Sequence, residues 1–124
     1  MDAAYLDPFQ RAYKVAALWS SNDDNDEPLD NGRDLDDIHG DTHNAMDKEC
    51  EAFVTENWAD LKDLNPEQAG HDFWLTRNGH GAGCWDRGLG EVGERLTAAC
   101  GWRTKYPEVA LYVGDDGMIH QSNA

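Results

Sequence analysis

GHDFWLTRNGHGAGCWDRGLG, residues 70–90, gathers six of the twelve glycines, two of the five tryptophans and two of the five histidines of this chain. Immediately before it, Asn65-Pro66-Glu67-Gln68 supplies a helix cap, a proline at the first helical position and a capping partner at the third. A helix is therefore expected from Pro66 to Arg77, stopped by Asn78-Gly79, two residues that tolerate left-handed backbone. Residues 79–90 then read as a glycine-rich connection built on tight turns. Beyond it, Leu89, Val92, Leu96 and Ala99 share one side of a further helix, weakened by Gly93 and ending at Cys100-Gly101. The connection thus joins the last two helices and is expected to organise the core.

Working outward, Asp7-Pro8 and the apolar set Phe9, Tyr13, Ala16, Ala17 and Leu18 predict a helix over about residues 7–19. Residues 20–33, SSNDDNDEPLDNGR, are polar and aperiodic, which suits a solvated, flexible acidic loop. Residues 34–38 suit a short helical turn, after which Asp41-Thr42 can cap a longer helix. That helix carries Met46, Cys50, Phe53 and Val54 at i, i+4, i+7 and i+8, one buried stripe. Trp58 and Leu61 continue the apolar face after a bend. Finally, residues 109–113 and 118–121 flank Gly-Asp-Asp-Gly as a hairpin, which must pack on the helices because two strands alone are marginal. The expected fold is a single α+β domain, mainly helical, with about four helices and a C-terminal two-stranded β-hairpin.

The chain has 124 residues, enough for one modest core, and a formal net charge of −15. Residues 1–69 hold 18 acidic against 5 basic residues, whereas residues 70–124 hold 7 against 5, so the N-terminal half carries the field. Such a field repels nucleic acid, anionic lipid and phosphate-rich substrates and attracts basic surfaces, including those that hold DNA. Direct DNA binding is not expected. Cys50, Cys84 and Cys100 are odd in number and irregularly spaced, matching neither a disulfide framework nor a paired zinc motif. No run approaches the roughly 20 apolar residues that span a membrane, and residues 1–10 lack a secretory pattern. A soluble, cytoplasmic protein is the expectation.

Read whole, HDFWLTRNGHGAGCWDRG (residues 71–88) resembles a stretch in small, acidic proteins of tailed bacteriophages, in which an aromatic residue often stands where this chain has Cys84. The resemblance extends through residues 89–96 and the LYVGDDG hairpin, and to the acidic character of the loop. It implies a phage or prophage origin and a bacterial host cytoplasm. That family carries no assigned activity, so the resemblance transfers no catalytic residue.

Several chemistries are suggested and then weakened by spacing. His71, Asp72, His80, Cys84 and Asp86 are zinc-ligand types, but the histidines are not four apart and HxxxC is a single weak pair. In the structural reading, Asp72, Arg77, Asn78 and Asp86 pin the glycine loop, Phe73, Trp74 and Trp85 fill the core beneath it, and His71 and His80 belong to the same motif. GHGAG is followed by no lysine and preceded by no apolar strand, so neither phosphate fingerprint is met. His39 and His43 are four apart with Gly40 between them, a residue expected to break the helix that a shared ligand would need. DDNDEPLDNG contains Pro28 and lacks the closing glutamate of a calcium loop, and no nucleophile motif is present. No cofactor, metal or catalytic residue is assigned.

The acidic set remains: Asp23, Asp24, Asp26, Glu27, Asp30, Asp34, Asp36, Asp37, Asp41, Asp47, Glu49 and Glu51. Carboxylates held on turns and helices can stand in for a row of phosphates. The expected partner is a host protein with a basic, DNA-handling surface, met by Asp23, Asp24, Asp26, Glu27, Asp30, Asp34, Asp36, Asp37, Asp47 and Glu51. The expected function is inhibition of a restriction, CRISPR or related system without enzymatic activity. A small metal-dependent enzyme centred on residues 70–90, or a virion or assembly component, is the alternative.

Overall fold

The computed structural model describes residues 2–79, 89–100 and 104–123. Among these lie α1 (Ala3–Ser20), a 3-10 turn (Leu35–Asp37), α2 (Gly40–Glu56), α3 (Trp58–Leu61), α4 (Pro66–Arg77), α5 (Glu91–Ala98), β1 (Val109–Val113) and β2 (Ile119–Asn123). The mainly helical α+β fold with a C-terminal antiparallel hairpin is as expected. So are the limits of α4, where the Asn65 side chain accepts from the Gln68 N–H at 3.0 Å.

Two helix starts differ from expectation. α1 begins at Ala3, four residues before the expected start, with Asp2 as the cap accepting from the Ala4 N–H. Pro8 therefore lies inside the helix, where its missing N–H leaves the Ala4 carbonyl without an intrahelical donor. Ala4 is exposed, so water can satisfy that carbonyl, and burial of Tyr5 and Leu6 stabilises the added turn. The Tyr5 ring meets Trp58 edge-on at 5.1 Å. α2 starts at Gly40 rather than after Asp41-Thr42, capped by His39, whose Nδ1 accepts from the Asp41 N–H. Gly40 does not break that helix. A first-turn residue needs no intrahelical acceptor for its N–H, so glycine costs little there.

The core is an aromatic layer between α1, α2 and α4. Phe53 and Phe73 stack at 4.0 Å, Tyr13 stacks on Phe73 at 5.1 Å, and Tyr106 meets both phenylalanines edge-on. Met46, Cys50, Phe53 and Val54, the expected α2 stripe, are fully buried. Each such side chain contributes about 1.5–3 kcal/mol relative to exposure. α1 and α4 approach so closely that a Cβ on Gly70 would stand 2.1 Å from the Phe9 carbonyl oxygen. At the far end of that crossing, Trp74 Nε1 donates to Ser20 Oγ at 2.7 Å, and Ser20 Oγ donates to the Ala16 carbonyl.

Arg77 is the buried cation of this core. Its Nε and Nη2 donate to the Pro107 carbonyl at 3.0 and 2.7 Å, and Nη1 donates to Tyr13 Oη and to the Glu49 carboxylate. Burial pushes the Tyr13 hydroxyl well up from its usual range, so it stays neutral and accepts. Gln121 Nε2 donates to the other Glu49 oxygen, linking the network to β2. The hairpin is seated further by Asn78 Oδ1 accepting from the Val109 N–H, by Thr42 Oγ1 accepting from the Gln121 N–H, and by the His39 N–H donating to the Ile119 carbonyl.

Candidate partner-binding surface

Residues 21–41 hold nine acidic residues and one basic residue, Arg33, a net charge of −8. Their backbone follows defined turns. Leu29 is fully buried and anchors the segment, its N–H donating to the Ser21 carbonyl at 2.8 Å, while Asn22 bridges Pro28. Within that clasp the Asp23 N–H donates to the Glu27 carbonyl, and Asp26 takes the left-handed conformation at φ 63°. Aspartate tolerates that region because its short side chain bonds locally, here accepting from Asn22 Nδ2.

The carboxylates divide into two roles. Asp23 turns inward: Oδ1 accepts from the Asn25 and Glu27 N–H groups at 2.9 and 3.1 Å, and Oδ2 lies 3.4 Å from Arg33 Nη1. Asp34 and Asp37 form a reciprocal capping box on the 3-10 turn. Asp24, Asp26, Glu27, Asp30 and Asp36 are exposed and face solvent. On α2, Glu51 is exposed, but Asp47 pairs with Lys14 Nζ at 2.7 Å and Glu49 is taken by Arg77. The structure thus brings Asp23, Asp24, Asp26, Glu27, Asp30, Asp34, Asp36 and Asp37 into one segment and sets Asp47 and Glu51 apart on the helix. Charge alone does not separate capping carboxylates from exposed ones, two of which, Asp26 and Glu27, accept from Asn22 and Asn31, because the caps depend on the turn geometry.

The Asp23 carboxyl is held below the ordinary aspartate range, first by the hydrogen bond from the Glu27 N–H, with Asn25 and Arg33 adding to it. A lowered carboxyl stabilises the folded turn above its unfolded pKa, and that contribution is lost as pH falls through the folded value. An NMR titration is expected to place the Asp23 midpoint below the ordinary aspartate value, with the 23–27 amides losing protection only as pH falls through that midpoint. A midpoint at or above the ordinary value would contradict the inward capping role.

Of the other sequence-identified residues, His71 stacks on Trp19 at 5.6 Å and lies 3.4 Å from the buried Asp72. Asp72 also accepts from Gln68 Nε2. Trp74, Arg77 and Asn78 hold the contacts given above; His80, Cys84, Trp85 and Asp86 lie outside the described residues. Among the described residues no three His, Cys, Asp or Glu side chains gather as metal ligands, and no helix is long and apolar enough to cross a membrane. His43 is drawn from His39 to the 3-10 turn, where its Nε2 donates to the Leu35 carbonyl at 2.8 Å. His39 instead stacks on His120, which stacks on Tyr112 and is bonded by Asp116. The Tyr112–His120 contact was open to prediction from hairpin register; the third ring was not, since it depends on Ile38 bridging Ile119. No protein-family model matches the chain, and neither curated proteins nor solved structures give a match.

Proposed function

We propose that this chain is a phage-encoded, non-enzymatic binding protein that occupies the basic, DNA-receiving surface of a host defence or DNA-processing protein of the restriction or CRISPR type. The observation that carries the reading is the net charge of −8 across residues 21–41, with five carboxylates displayed on turns fixed by Leu29, Asp23 and the Asp34–Asp37 box. A partner of this surface spends little on ordering it, which favours association. Lysines and arginines placed to meet phosphates would meet these carboxylates, and DNA would be excluded by competition. The phage origin rests on the resemblance of residues 71–88.

Capture from bacterial lysate by the tagged protein tests this, with washes of rising salt and with competing DNA. The screening length falls from about 10 Å at 0.1 M to about 3 Å at 1 M salt. A basic, DNA-handling protein released by both salt and DNA is the expected result. A partner that resists both would overturn the reading.

A further inference from the structure

Among the described residues, one edge of the hairpin is covered and the other is open beyond Val109. The Gly114 N–H donates to the Met118 carbonyl, which sets the alternation: residues 110 and 112 bond to β2, and the N–H and C=O groups of residues 109, 111 and 113 point away from it. Contacts outside the ladder agree with this phase. On the β2 edge Ile119 and Gln121 are taken by His39 and Thr42, and on the β1 edge the Val109 N–H is taken by Asn78. The next positions on that edge, Leu111 and Val113, find no backbone or side-chain partner for their outward main-chain groups among the described residues. A groove runs beside this edge between residues 108–111 and residues 20–22, with Trp74 and Asn78 also lining it.

An open strand edge is a template for another strand, and proteins usually block it with lysine, proline or a covering segment. Charge decides which strand. An antiparallel second copy pairing Leu111 with Val113 would bring Glu108 of each chain to the Asp115–Asp116 turn of the other, and like charges facing across strands destabilise pairing. Glu108 and Asp115 favour lysine or arginine there, while Asp116 is held by His120 and the Met118 N–H. Tyr112, 48% exposed on the outward face, offers a ring on which such a cation can stack.

We infer that the open edge of β1 takes an extended segment of a partner protein with alternating apolar and basic residues as a third strand, bonded to the main chain of Leu111 and Val113. This rests on the reading that the partner is basic, and adds where and how its chain is held. The direct test uses an acetylated and amidated peptide of alternating lysine and valine, followed by amide NMR and hydrogen exchange. Protection and shifts at Leu111 and Val113 are expected, lost when the peptide's ladder-facing amides are N-methylated and kept when the alternate amides are. Val113→Pro removes an N–H that faces away from β2, so the hairpin should persist while affinity falls about tenfold or more. Ala110→Pro, which faces β2, marks what hairpin loss looks like. Shifts confined to residues 21–41, or no binding at all, would overturn the edge site; the first of these leaves the acidic-surface reading standing.

Discussion

Gly70→Ala is expected to destabilise this protein by about 3 kcal/mol or more, a large share of the roughly 5–15 kcal/mol that holds a domain of this size together. The added methyl would sit 2.1 Å from the Phe9 carbonyl oxygen and 2.9 Å from its carbon. Those are backbone atoms of α1, which cannot swing aside as a flexible side chain would. Relief requires α1 and α4 to separate, and separation opens gaps around Phe9, Tyr13, Phe73 and Trp74, all nearly or fully buried. Gly40→Ala is the control, since nothing lies within 4 Å of its Cβ position and its φ is not left-handed. Urea denaturation should find Gly40→Ala unchanged or stabilised by up to about 1 kcal/mol. A Gly70→Ala protein within about 0.5 kcal/mol of the parent would contradict the helix crossing.

The second large effect belongs to Arg77. Replacing it with methionine keeps the packing over the Phe73 and Tyr106 rings, whose centroids lie 5.6 and 6.0 Å from the guanidinium, but removes every donor. The Pro107 carbonyl then loses two hydrogen bonds, and the Glu49 carboxylate, only 27% exposed, loses its cation. Breaking one side of a buried pair typically costs about 3–5 kcal/mol. Glu49→Gln should cost less, because the amide oxygen still accepts from Arg77 and the partially open site admits water. Equal losses in the two variants would mean that the Pro107 bonds contribute little and that the network is not centred on Arg77.

How much of this was readable depended on whether the deciding contact was local. α4 and its approximate limits were legible because its cap, first-turn proline and terminating Asn78-Gly79 all lie within or beside it. The α2 stripe and the Gly114–Gly117 turn were legible for the same reason. The start of α1 was not: Asp7-Pro8 is the better local cap, and burial of Tyr5 against Trp58 overrides it. Gly70 read as one glycine among many, while its role is set by Phe9, far away in sequence. Arg77 was expected to pin the glycine loop, whereas the partners it bonds, Glu49, Pro107 and Tyr13, lie 28, 30 and 64 residues away. Within the acidic segment, charge was visible and presentation was not. A lone Leu29 between polar residues gave little sign that it anchors the turns.

That presentation also dictates how the central claim is best tested. Neutralising every carboxylate would remove the Asp23 and Asp34–Asp37 caps and confuse unfolding with lost binding. The informative variant carries Asp24→Asn, Asp26→Asn, Glu27→Gln, Asp30→Asn and Asp36→Asn, which leaves the caps in place, and asparagine suits the left-handed backbone at residue 26. Exposed charge contacts are each worth roughly 0.2–1 kcal/mol, so the five together should weaken binding by about fivefold to several thousandfold. Capture from lysate by parent and variant, matched in fold by circular dichroism, is the measurement. Loss of the basic, DNA-handling partner from the variant is the predicted result, and equal capture by both proteins would contradict an acidic surface that competes with DNA.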